Sequence, residues 1–306
     1  MTWWEAIILG VVQGLTEFFP VSSSGHLVMS QHLLGLSVPG IGFEVAVHVA
    51  TLISVLIVYR DKVYRLLRGA VGLEEKSAWP YLLKLLLASV PAAVIGLGFQ
   101  DWFEARFDDP VFTGTMLLVT GMLVWSSRWT RAERLPSWTE FVPHVLAAIV
   151  ALVLGSIGGF LVVSAVLLVI FLVSRVTARH EWKDEPTWGG ALLMGIAQAC
   201  AILPGISRSG STVVTGLWRR IDPVAAAEFS FLMSIPAILG AAVLALPDLA
   251  AGGTQVAALP LAIGFLAAGI AGVLAIRWFV ALLAKQNFHV FAYYCWIAGT
   301  LFLLTV

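Results

Sequence analysis

Several uninterrupted apolar runs restrict this sequence to one class of protein. Runs near or above the roughly 20 residues that a helix needs to cross a bilayer occur at 43–59, 81–99, 111–127, 224–246, 260–284 and 289–306. Only 12% of the 306 residues are charged, about half of the roughly 25% that a soluble domain carries. The sequence therefore predicts an all-α polytopic membrane protein.

The charges between these runs predict the orientation of the spans, because Lys and Arg near span ends favour the cytoplasmic side. Basic residues cluster at 60–76, 128–134, 219–220 and 277–285. The segment 100–110 is mostly acidic, and the segment 247–259 has an aspartate and no basic residue. The basic segment 60–76 is therefore predicted to be a cytoplasmic loop, and the segments 100–110 and 247–259 are predicted to be external loops. Both termini are predicted to lie outside.

The apolar block 141–174 is broken near its middle by the sequence GSIGG at 155–159. Each half has about 17 residues, the minimum for a span. Basic residues lie at both ends of the block, so an even number of crossings is required. We expect an inserted helical hairpin that turns at 155–159. A helical pair that dips into the membrane without crossing it satisfies the same count.

Residues 3–36 and 188–220 are apolar but are interrupted near the middle by Pro, Ser and Gly. Each segment must begin and end on one side of the membrane to agree with the charge pattern. They are predicted to be re-entrant helical hairpins, the first entering from outside and the second from inside. Irregular backbone at membrane depth is tolerated only where protein or a water-filled cavity surrounds it, so both breaks are expected in the interior.

The two interrupted segments also resemble each other in sequence. Residues 10–28 and 195–213 align without gaps at an offset of 185, with six identities in nineteen positions. The charge pattern gives the copies opposite orientations, and inverted-topology repeats have their binding site where the repeats meet. We expect one membrane domain over 1–306. Its parts are repeat 1 at 1–127, a linker at 128–187 with the inserted hairpin at 141–174, and repeat 2 at 188–306, each repeat a re-entrant hairpin plus three transmembrane helices.

The first hairpin carries polar residues that membrane segments normally exclude. Gln13 and Glu17 are four residues apart and share one face of a helix. An ionisable residue inside the membrane usually marks a functional site. Three interpretations of Glu17 remain open: a ligand of a divalent cation with the Gln13 carbonyl as second ligand, a general base, or a structural acid.

A serine cluster and a histidine follow at the predicted break, in the sequence PVSSSGH. One serine there is explained by an N-cap, but Ser22, Ser23 and Ser24 exceed what capping needs. The N–H groups at a helix start also favour an anion, so we expect an anion site. His26 is either a satisfied core histidine or a catalytic residue that acts beside Glu17 and the three hydroxyls.

The second hairpin supplies a positive charge, in the sequence PGISRSGST at 204–212. The guanidinium of Arg208 is a planar fork of donors suited to phosphate. Hydroxyls and exposed backbone amides around it predict a phosphate cradle; they belong to Ser207, Ser209, Gly210, Ser211 and Thr212. A purely structural ion pair between Arg208 and Glu17 is the alternative.

Polar residues elsewhere carry weaker signals. Glu44, His48 and Glu228 lie near the start of the first long span of each repeat, where they either line the cavity or anchor helix ends. Cys200 and Cys295 have no spacing that suggests a metal site or a disulfide. The formal net charge is zero, so composition offers no argument for nucleic acid as a partner.

The stretches GVVQGLTEFFPVSSSGH and PGISRSGST resemble the two signature motifs of the bacterial undecaprenyl-diphosphate phosphatase family, the bacitracin-resistance phosphatases. FEVAVHVAT and AAEFSFLMSIP resemble the stretches that follow each motif. The resemblance implies a multi-pass enzyme of the bacterial cytoplasmic membrane with a site that faces outside. It implies cleavage of a C55 polyprenyl diphosphate to the monophosphate lipid carrier and phosphate, in cell-wall carrier recycling and bacitracin resistance.

The resemblance also implies a divalent cation, Mg²⁺ or Ca²⁺, and roles for particular residues. Expected catalytic residues are Glu17, Ser23, His26 and Arg208, and expected metal ligands are Glu17 and Gln13. Expected phosphate-binding residues are Ser22, Ser24, Ser207, Arg208, Ser209, Gly210 and Thr212. Whether Ser23, His26 or water attacks phosphorus stays open. Gln13 stands where many members have Glu, and His48 stands where a Gln is expected.

The expected partners are the polyprenyl diphosphate, membrane lipids and a second copy of the chain in a homodimer. The alternative function is a carrier, because an inverted repeat with an anion site can flip a polyprenyl phosphate. The first hairpin carries Glu17 and His26 whereas the second carries Arg208. This division of chemistry favours the phosphatase, since a carrier needs only a binding site.

Overall fold

The computed structural model describes residues 1–36, 42–74, 77–130, 138–177, 181–250, 256–285 and 288–306. The regular elements in these ranges are helices. In chain order they are α1 (Trp3–Phe18), α2 (Ser23–Leu33), α3 (Gly42–Val58), α4 (Arg60–Ala70), α5 (Trp79–Gly98), α6 (Gln100–Phe107), α7 (Pro110–Trp125), a 3₁₀-helix (Ser126–Thr130), α8 (Trp138–Leu154), α9 (Ile157–Thr177), α10 (Trp188–Cys200), α11 (Arg208–Trp218), α12 (Pro223–Leu244), α13 (Leu246–Ala250), α14 (Ala258–Ala284) and α15 (Val290–Leu303).

Five helical spans in the described part of the chain are long and apolar enough to cross a membrane: α5, α7 with the following 3₁₀ turn, α9, α12 and α14. A sixth results if α3 and α4, which meet at 79°, form one broken span. Leu266, Ile270 and Leu274 form a stripe on α14, and each is more than half exposed. Such an apolar stripe on the outer surface faces lipid, so the chain is a multi-pass membrane protein, as its composition predicted.

Both interrupted segments fold as helical hairpins. α1 ends at Phe18, and Phe19 is extended with φ −70° and ψ 148°, the conformation that the following Pro20 favours. α2 starts again at Ser23. In the second hairpin the turn contains Gly205 at φ 93°. A Cβ at Gly205 would lie 2.2 Å from the Thr113 carbonyl oxygen, so this turn requires glycine.

Two segments predicted to be loops contain short helices instead, α4 and α6. In α4, Val63 and Leu66 pack against the apolar core, while Arg65 is exposed. An amphipathic helix of this kind suits the membrane interface. The loop prediction was wrong because the charge pattern reports the side of the membrane on which a segment lies, not its backbone conformation.

The block at 141–174 forms the expected helical hairpin, α8 and α9, which turns at Gly155 and Ser156. The Ser156 N–H donates a hydrogen bond to Thr115 Oγ1 of α7 at 2.9 Å. A Cβ at Gly159 would lie 2.5 Å from the ring of Phe112, also in α7. The hairpin therefore packs directly on α7.

Glycines let the first helix of each hairpin approach a long helix of the other half of the chain. α1 packs along α14, and α10 packs along α5. A Cβ at Gly10 would lie 2.4 Å from the Gly264 carbonyl oxygen, and one at Gly195 would lie 2.4 Å from the Ala88 carbonyl oxygen. Small residues at membrane helix interfaces permit this backbone-to-backbone contact.

Replacing Gly195 with alanine is expected to destabilise the protein by about 1–3 kcal/mol, because the added methyl forces α10 and α5 apart. The measurement is the unfolding temperature of the purified protein in detergent. Gly189→Ala is the matched control on the same helix, since a Cβ at Gly189 meets nothing within 4 Å. Equal unfolding temperatures for the two variants would contradict the close-contact interpretation.

Candidate active site

The two hairpin breaks meet inside the protein, where the first turns of α2 and α11 lie against the opposite hairpin. A Cβ at Gly25 would lie 3.2 Å from the Cα of Gly205, and one at Gly210 would lie 3.3 Å from the Cβ of Pro20. Ser209 Oγ donates a hydrogen bond across the hairpins to the Phe19 carbonyl at 3.0 Å. The breaks therefore converge in the interior, as expected.

Both helices begin with the same serine cap. Ser22 Oγ accepts a hydrogen bond from the Gly25 N–H at 3.3 Å, and Ser207 Oγ accepts one from the Gly210 N–H at 3.0 Å. Ser22, Ser207 and Ser209 are at most 2% exposed. The hydroxyls of Ser22 and Ser207 cap their helices, and that of Ser209 joins the two hairpins; direct contact of these serines with phosphate stays a prediction. Capping is sufficient to explain the burial of Ser22 and Ser207, because a cap satisfies otherwise free N–H groups.

Glu17 is the centre of a buried polar network that joins the two hairpins. Its Oε2 accepts hydrogen bonds from Ser23 Oγ at 2.6 Å and from Gln13 Nε2 at 2.9 Å. Its Oε1 accepts a hydrogen bond from Arg208 Nη2 at 2.5 Å, and His48 Nε2 lies 3.8 Å from Oε2. The Glu17 side chain is 6% exposed, so the guanidinium and the donors replace water around its charge.

Arg208 is held by α11 and α12. Its Nη1 lies 3.5 Å from the Ser230 carbonyl oxygen, and its own carbonyl accepts a hydrogen bond from Thr212 Oγ1 at 2.8 Å. The hydroxyls of Thr212 and Ser230 are 2.6 Å apart. Thr212 is completely buried, so it supports the first turn of α11. Ser230 was not predicted as a site residue, although it lies in the stretch AAEFSFLMSIP, because a single serine in an apolar helix is common.

His26 has a hydrogen-bond partner on each ring nitrogen. Nδ1 lies 2.8 Å from the Ser22 carbonyl oxygen, which only accepts, so Nδ1 carries a proton. Nε2 lies 2.7 Å from the hydroxyl of Tyr294 in α15. Ser22 has φ 67°, a backbone conformation that is rare outside glycine and that clusters at functional sites. Tyr294 was missed in the sequence because it belongs to no motif.

The sequence left open whether Glu44, His48 and Glu228 line the cavity or anchor helix ends. His48 lies at the Glu17 network. Glu44 accepts a hydrogen bond from Gln31 Nε2 of α2 at 3.3 Å. Glu228 pairs with Lys62 Nζ at 2.8 Å and so anchors α4 on α12. His48 therefore lines the site, whereas Glu228 holds a helix end.

Thr120 of α7 supports the second break from outside the two hairpins. Its Oγ1 donates a hydrogen bond to the Gly205 carbonyl at 2.7 Å and accepts one from the Ser207 N–H at 3.0 Å. Thr120 thereby replaces two backbone hydrogen bonds that the break removes. This support was also invisible in the sequence, since Thr120 belongs to an apolar span with several threonines.

Replacing Thr120 with valine is expected to destabilise the protein by about 2–4 kcal/mol, because two buried backbone groups lose their partner. We also expect lower activity, since Arg208 follows the displaced break directly. Unfolding temperature and turnover of the purified variant are the measurements. Thr113→Val is the control on the same helix, because the buried Thr113 Oγ1 has no hydrogen-bond partner. A Thr113→Val loss as large as that of Thr120→Val would contradict this explanation.

Gln13 and Glu17 bring together an amide oxygen and a carboxylate, which are ligand types that suit a divalent cation. The buried Gln13 Oε1 has no hydrogen-bond partner, and the Glu17 carboxylate is adjacent to it through the Gln13 amide. Within the described residues no group of three His, Cys, Asp or Glu side chains could hold a metal by itself. One carboxylate with an amide oxygen matches Mg²⁺ sites in which substrate phosphates complete the coordination.

The arrangement combines three chemical capabilities. Ser23 and Ser24 are partly exposed at the first turn of α2, where backbone N–H groups and the helix dipole favour an anion. Arg208 adds a fixed positive charge, and Ser23 donates its hydroxyl proton toward the Glu17 carboxylate. Such a site can bind a phosphate group and activate a hydroxyl against it.

The comparison with known families decides the identity of the chain. The family model described as Bacitracin resistance protein BacA matches residues 6–155 and 138–301. The chain belongs to the BacA family. The family match therefore includes both hairpins, the Glu17 network and α8.

Curated relatives of this BacA family member align over nearly the full chain. A protein of Desulfatibacillum aliphaticivorans is 34% identical over 98% of this chain and 97% of its own length. One of Halothermothrix orenii is 36% identical over 98% and 96%, and one of Alkaliphilus metalliredigens is 35% identical over 99% and 98%. Each of the three is named undecaprenyl-diphosphatase.

Proposed function

We propose that this BacA family member hydrolyses undecaprenyl diphosphate to undecaprenyl phosphate and inorganic phosphate. The observation that carries the proposal is the Glu17 carboxylate, which accepts a hydrogen bond from the Ser23 hydroxyl and another, across the two hairpins, from the Arg208 guanidinium. This combination supplies a nucleophile, a proton acceptor and a positive charge for the phosphoryl group. The names of the relatives and the family match support the same reaction, and they do not favour the carrier alternative.

Ser23 is the proposed nucleophile. Ser23 is partly exposed, and its hydroxyl donates a hydrogen bond to Glu17 Oε2 at 2.6 Å, a distance typical of a strong bond to a carboxylate. His26 is less suited to direct attack, because both of its ring nitrogens are engaged. The α2 helix start also provides N–H groups where a phosphate would approach Ser23.

The proposed reaction has two steps, transfer of the phosphoryl group to Ser23 and its hydrolysis by water. Ser23 Oγ forms a bond to the terminal phosphorus, its proton passes to Glu17 Oε2, and the bridging P–O bond breaks with its electron pair on undecaprenyl phosphate. Water then bonds to phosphorus, and its protons stay on the released phosphate. The P–Oγ bond breaks with its electron pair on Ser23 Oγ, which takes back its proton from Glu17. Arg208 offsets the charge on the phosphoryl oxygens, the main requirement of phosphoryl transfer.

A divalent cation is the proposed cofactor, with Gln13 Oε1 and Glu17 as its protein ligands. When bound, Mg²⁺ or Ca²⁺ supplies further charge neutralisation for the diphosphate oxygens. The unpartnered Gln13 Oε1 supports this proposal. Gln13 also holds Glu17 by a hydrogen bond, so the amide orients the carboxylate that accepts the Ser23 proton.

Replacing Gln13 with glutamate is expected to lower the Mg²⁺ concentration for half-maximal protection against thermal unfolding by roughly tenfold, because ligand charge sets cation affinity. Gln13→Leu is expected to raise it. The measurement is a titration of unfolding temperature with Mg²⁺ in the presence of a polyprenyl diphosphate. Gln198→Leu, the equivalent position of the second hairpin, is the control. A Mg²⁺ dependence that Gln13→Leu leaves unchanged would contradict the ligand assignment.

The proposed architecture is an inverted-topology repeat, in the bacterial cytoplasmic membrane, with the site and both termini outside. The packing between the two halves of the chain supports the repeat. The first helix of the first hairpin, α1, packs on α14 of the second half, and the first helix of the second hairpin, α10, packs on α5 of the first half. Matching serine caps at positions 22 and 207 support it further. The homodimer stays a prediction.

The decisive experiment measures phosphate release from undecaprenyl diphosphate by the protein purified in detergent, with and without Mg²⁺ or Ca²⁺. We expect metal-dependent release of one phosphate for each lipid monophosphate formed. No release with either metal, or full activity in both Glu17→Ala and Arg208→Ala, would contradict the proposal. Movement of intact undecaprenyl phosphate across vesicles without phosphate release would favour the carrier instead.

A further inference from the structure

We propose that a cavity at the membrane face predicted to be cytoplasmic binds the phosphate of an anionic phospholipid headgroup. The cavity is separate from the candidate active site. Leu217, which lines it, is about two and a half turns beyond Arg208 in α11, or about 13 Å along the helix axis. The inference therefore goes beyond the proposed phosphatase activity and does not depend on it.

The cavity, of about 240 Å³, lies where several helices begin or end. It is bordered by the 3₁₀ turn after α7, the last turns of α11 and α14, the first residue of α12 and the segment just before α15. Basic segments at 128–134, 219–220 and 277–285 adjoin these helix ends in the sequence. The charge pattern therefore predicts that the cavity faces the cytoplasmic leaflet.

The positive charge of the cavity belongs to Arg128. This residue is exposed, its Cζ lies 4.4 Å from the centroid of the Trp125 ring, and it pairs with no carboxylate in the part of the chain that the structure describes. The imidazole of His289 meets the same indole edge to face, with centroids 6.0 Å apart. Asp222, next to the lining residue Pro223, is engaged by the backbone N–H groups that begin α12. The cavity therefore offers donors for phosphate oxygens.

Ser127 adds a hydroxyl that lacks a protein partner. The residue lines the cavity and is 9% exposed, and its Oγ forms no hydrogen bond with any of the described residues. Only its carbonyl is engaged, by Thr130 Oγ1 at 2.7 Å. Because buried hydroxyls normally have a hydrogen-bond partner, a phosphate oxygen in the cavity would supply the acceptor that Ser127 lacks.

The apolar part of the lining favours a lipid over a soluble phosphate. Leu217, Leu283 and Phe288 are buried and line the cavity. Inorganic phosphate would lose hydration against these side chains, whereas the glycerol and first methylenes of a phospholipid gain by burial there. The cavity is smaller than the roughly 300–1,000 Å³ of pockets that enclose a whole small molecule. It therefore suits a headgroup whose acyl chains stay in the bilayer, as in other basic pockets between membrane helices.

The test is a titration of the unfolding temperature with phosphatidylglycerol, on protein purified in a neutral detergent. We expect the lipid to raise the unfolding temperature. Arg128→Gln should raise the lipid concentration for half-maximal protection about tenfold, the effect of losing one charge-assisted hydrogen bond. Arg128→Lys keeps a positive charge and should lie between Arg128→Gln and the wild-type protein. The lipid-free unfolding temperature of each variant shows whether it is folded.

Arg65→Gln is the matched control, because Arg65 is exposed on α4, belongs to a basic segment of the same predicted face and does not line the cavity. It should leave the titration unchanged. Wild-type protection in Arg128→Gln, or an equal loss in Arg65→Gln, would overturn the site.

Two further ligands identify the source of the phosphate. Phosphatidylcholine, which has no net charge, should protect more weakly than phosphatidylglycerol, and inorganic phosphate at the same concentration should not protect. Protection by inorganic phosphate equal to that by phosphatidylglycerol would overturn the lipid assignment. None of these measurements uses phosphate release, so their outcome is independent of the proposed function.

Discussion

Replacing Glu17 with glutamine is expected to lower kcat by about three orders of magnitude, within the range for loss of a general base. The amide cannot accept the Ser23 proton, and it no longer offsets the buried charge of Arg208. Removing one partner of a buried ion pair costs about 3–5 kcal/mol, so the unfolding temperature should also fall. Phosphate release and thermal unfolding of the purified variant measure the two effects separately.

A charge-balanced variant tests the structural part of this prediction. Glu17→Gln combined with Arg208→Gln removes both charges, so it should be more stable than Glu17→Gln alone while remaining inactive. Glu228→Gln is the matched control, because Glu228 also forms a partly buried ion pair, with Lys62, outside the site. A loss of turnover in Glu228→Gln equal to that in Glu17→Gln would show that any membrane carboxylate has the same effect.

Ser23→Ala is expected to reduce phosphate release at least about 10³-fold and to abolish the phosphoenzyme formed from a substrate with a radioactively labelled terminal phosphate, because removal of a nucleophile leaves only binding and electrostatic contributions. Folding should be little affected, since Ser22 rather than Ser23 caps α2. Turnover and acid-stable labelling of the protein are the measurements.

Two further variants sharpen this result. Ser30→Ala, on the same helix about two turns away, should keep both turnover and labelling. Ser23→Cys retains a nucleophilic atom and should keep a small part of the activity. If Ser23→Ala were to turn over as fast as the wild-type protein, water would be the attacking group and Glu17 would activate it directly.

The membrane class and most of the helices follow from local properties of the sequence. The length of an apolar run and the positions of Pro and Gly act on the residues next to them, so both hairpin breaks and the turn at Gly155 could be predicted. The loop predictions for α4 and α6 were wrong because a charged segment between spans can still form a helix, and α4 does so as an amphipathic helix whose apolar face packs on the core. Because one face of α4 is polar, a search for long apolar runs does not detect this helix.

The candidate site was predictable only in part. Gln13, Glu17 and Ser23 are close along the chain, and helix periodicity by itself brings Gln13 to Glu17. The serines of the two breaks were recognised as a polar cluster, but the sequence did not separate the capping Ser22 from the partly exposed Ser23. That distinction depends on which hydroxyl turns toward the helix N–H groups, and backbone geometry at the break decides it.

The sequence by itself therefore determined a polytopic helical protein with two broken hairpins and a polar motif in each. Only the tertiary structure decided that Arg208 meets Glu17 across 191 residues of sequence, and that Thr120 and Tyr294 complete the surroundings of the breaks. The physical reason is that hydrophobic length and periodicity act within a segment. A hydrogen bond between segments depends on how the helices pack, and many lone polar residues in apolar spans look alike until that packing is known.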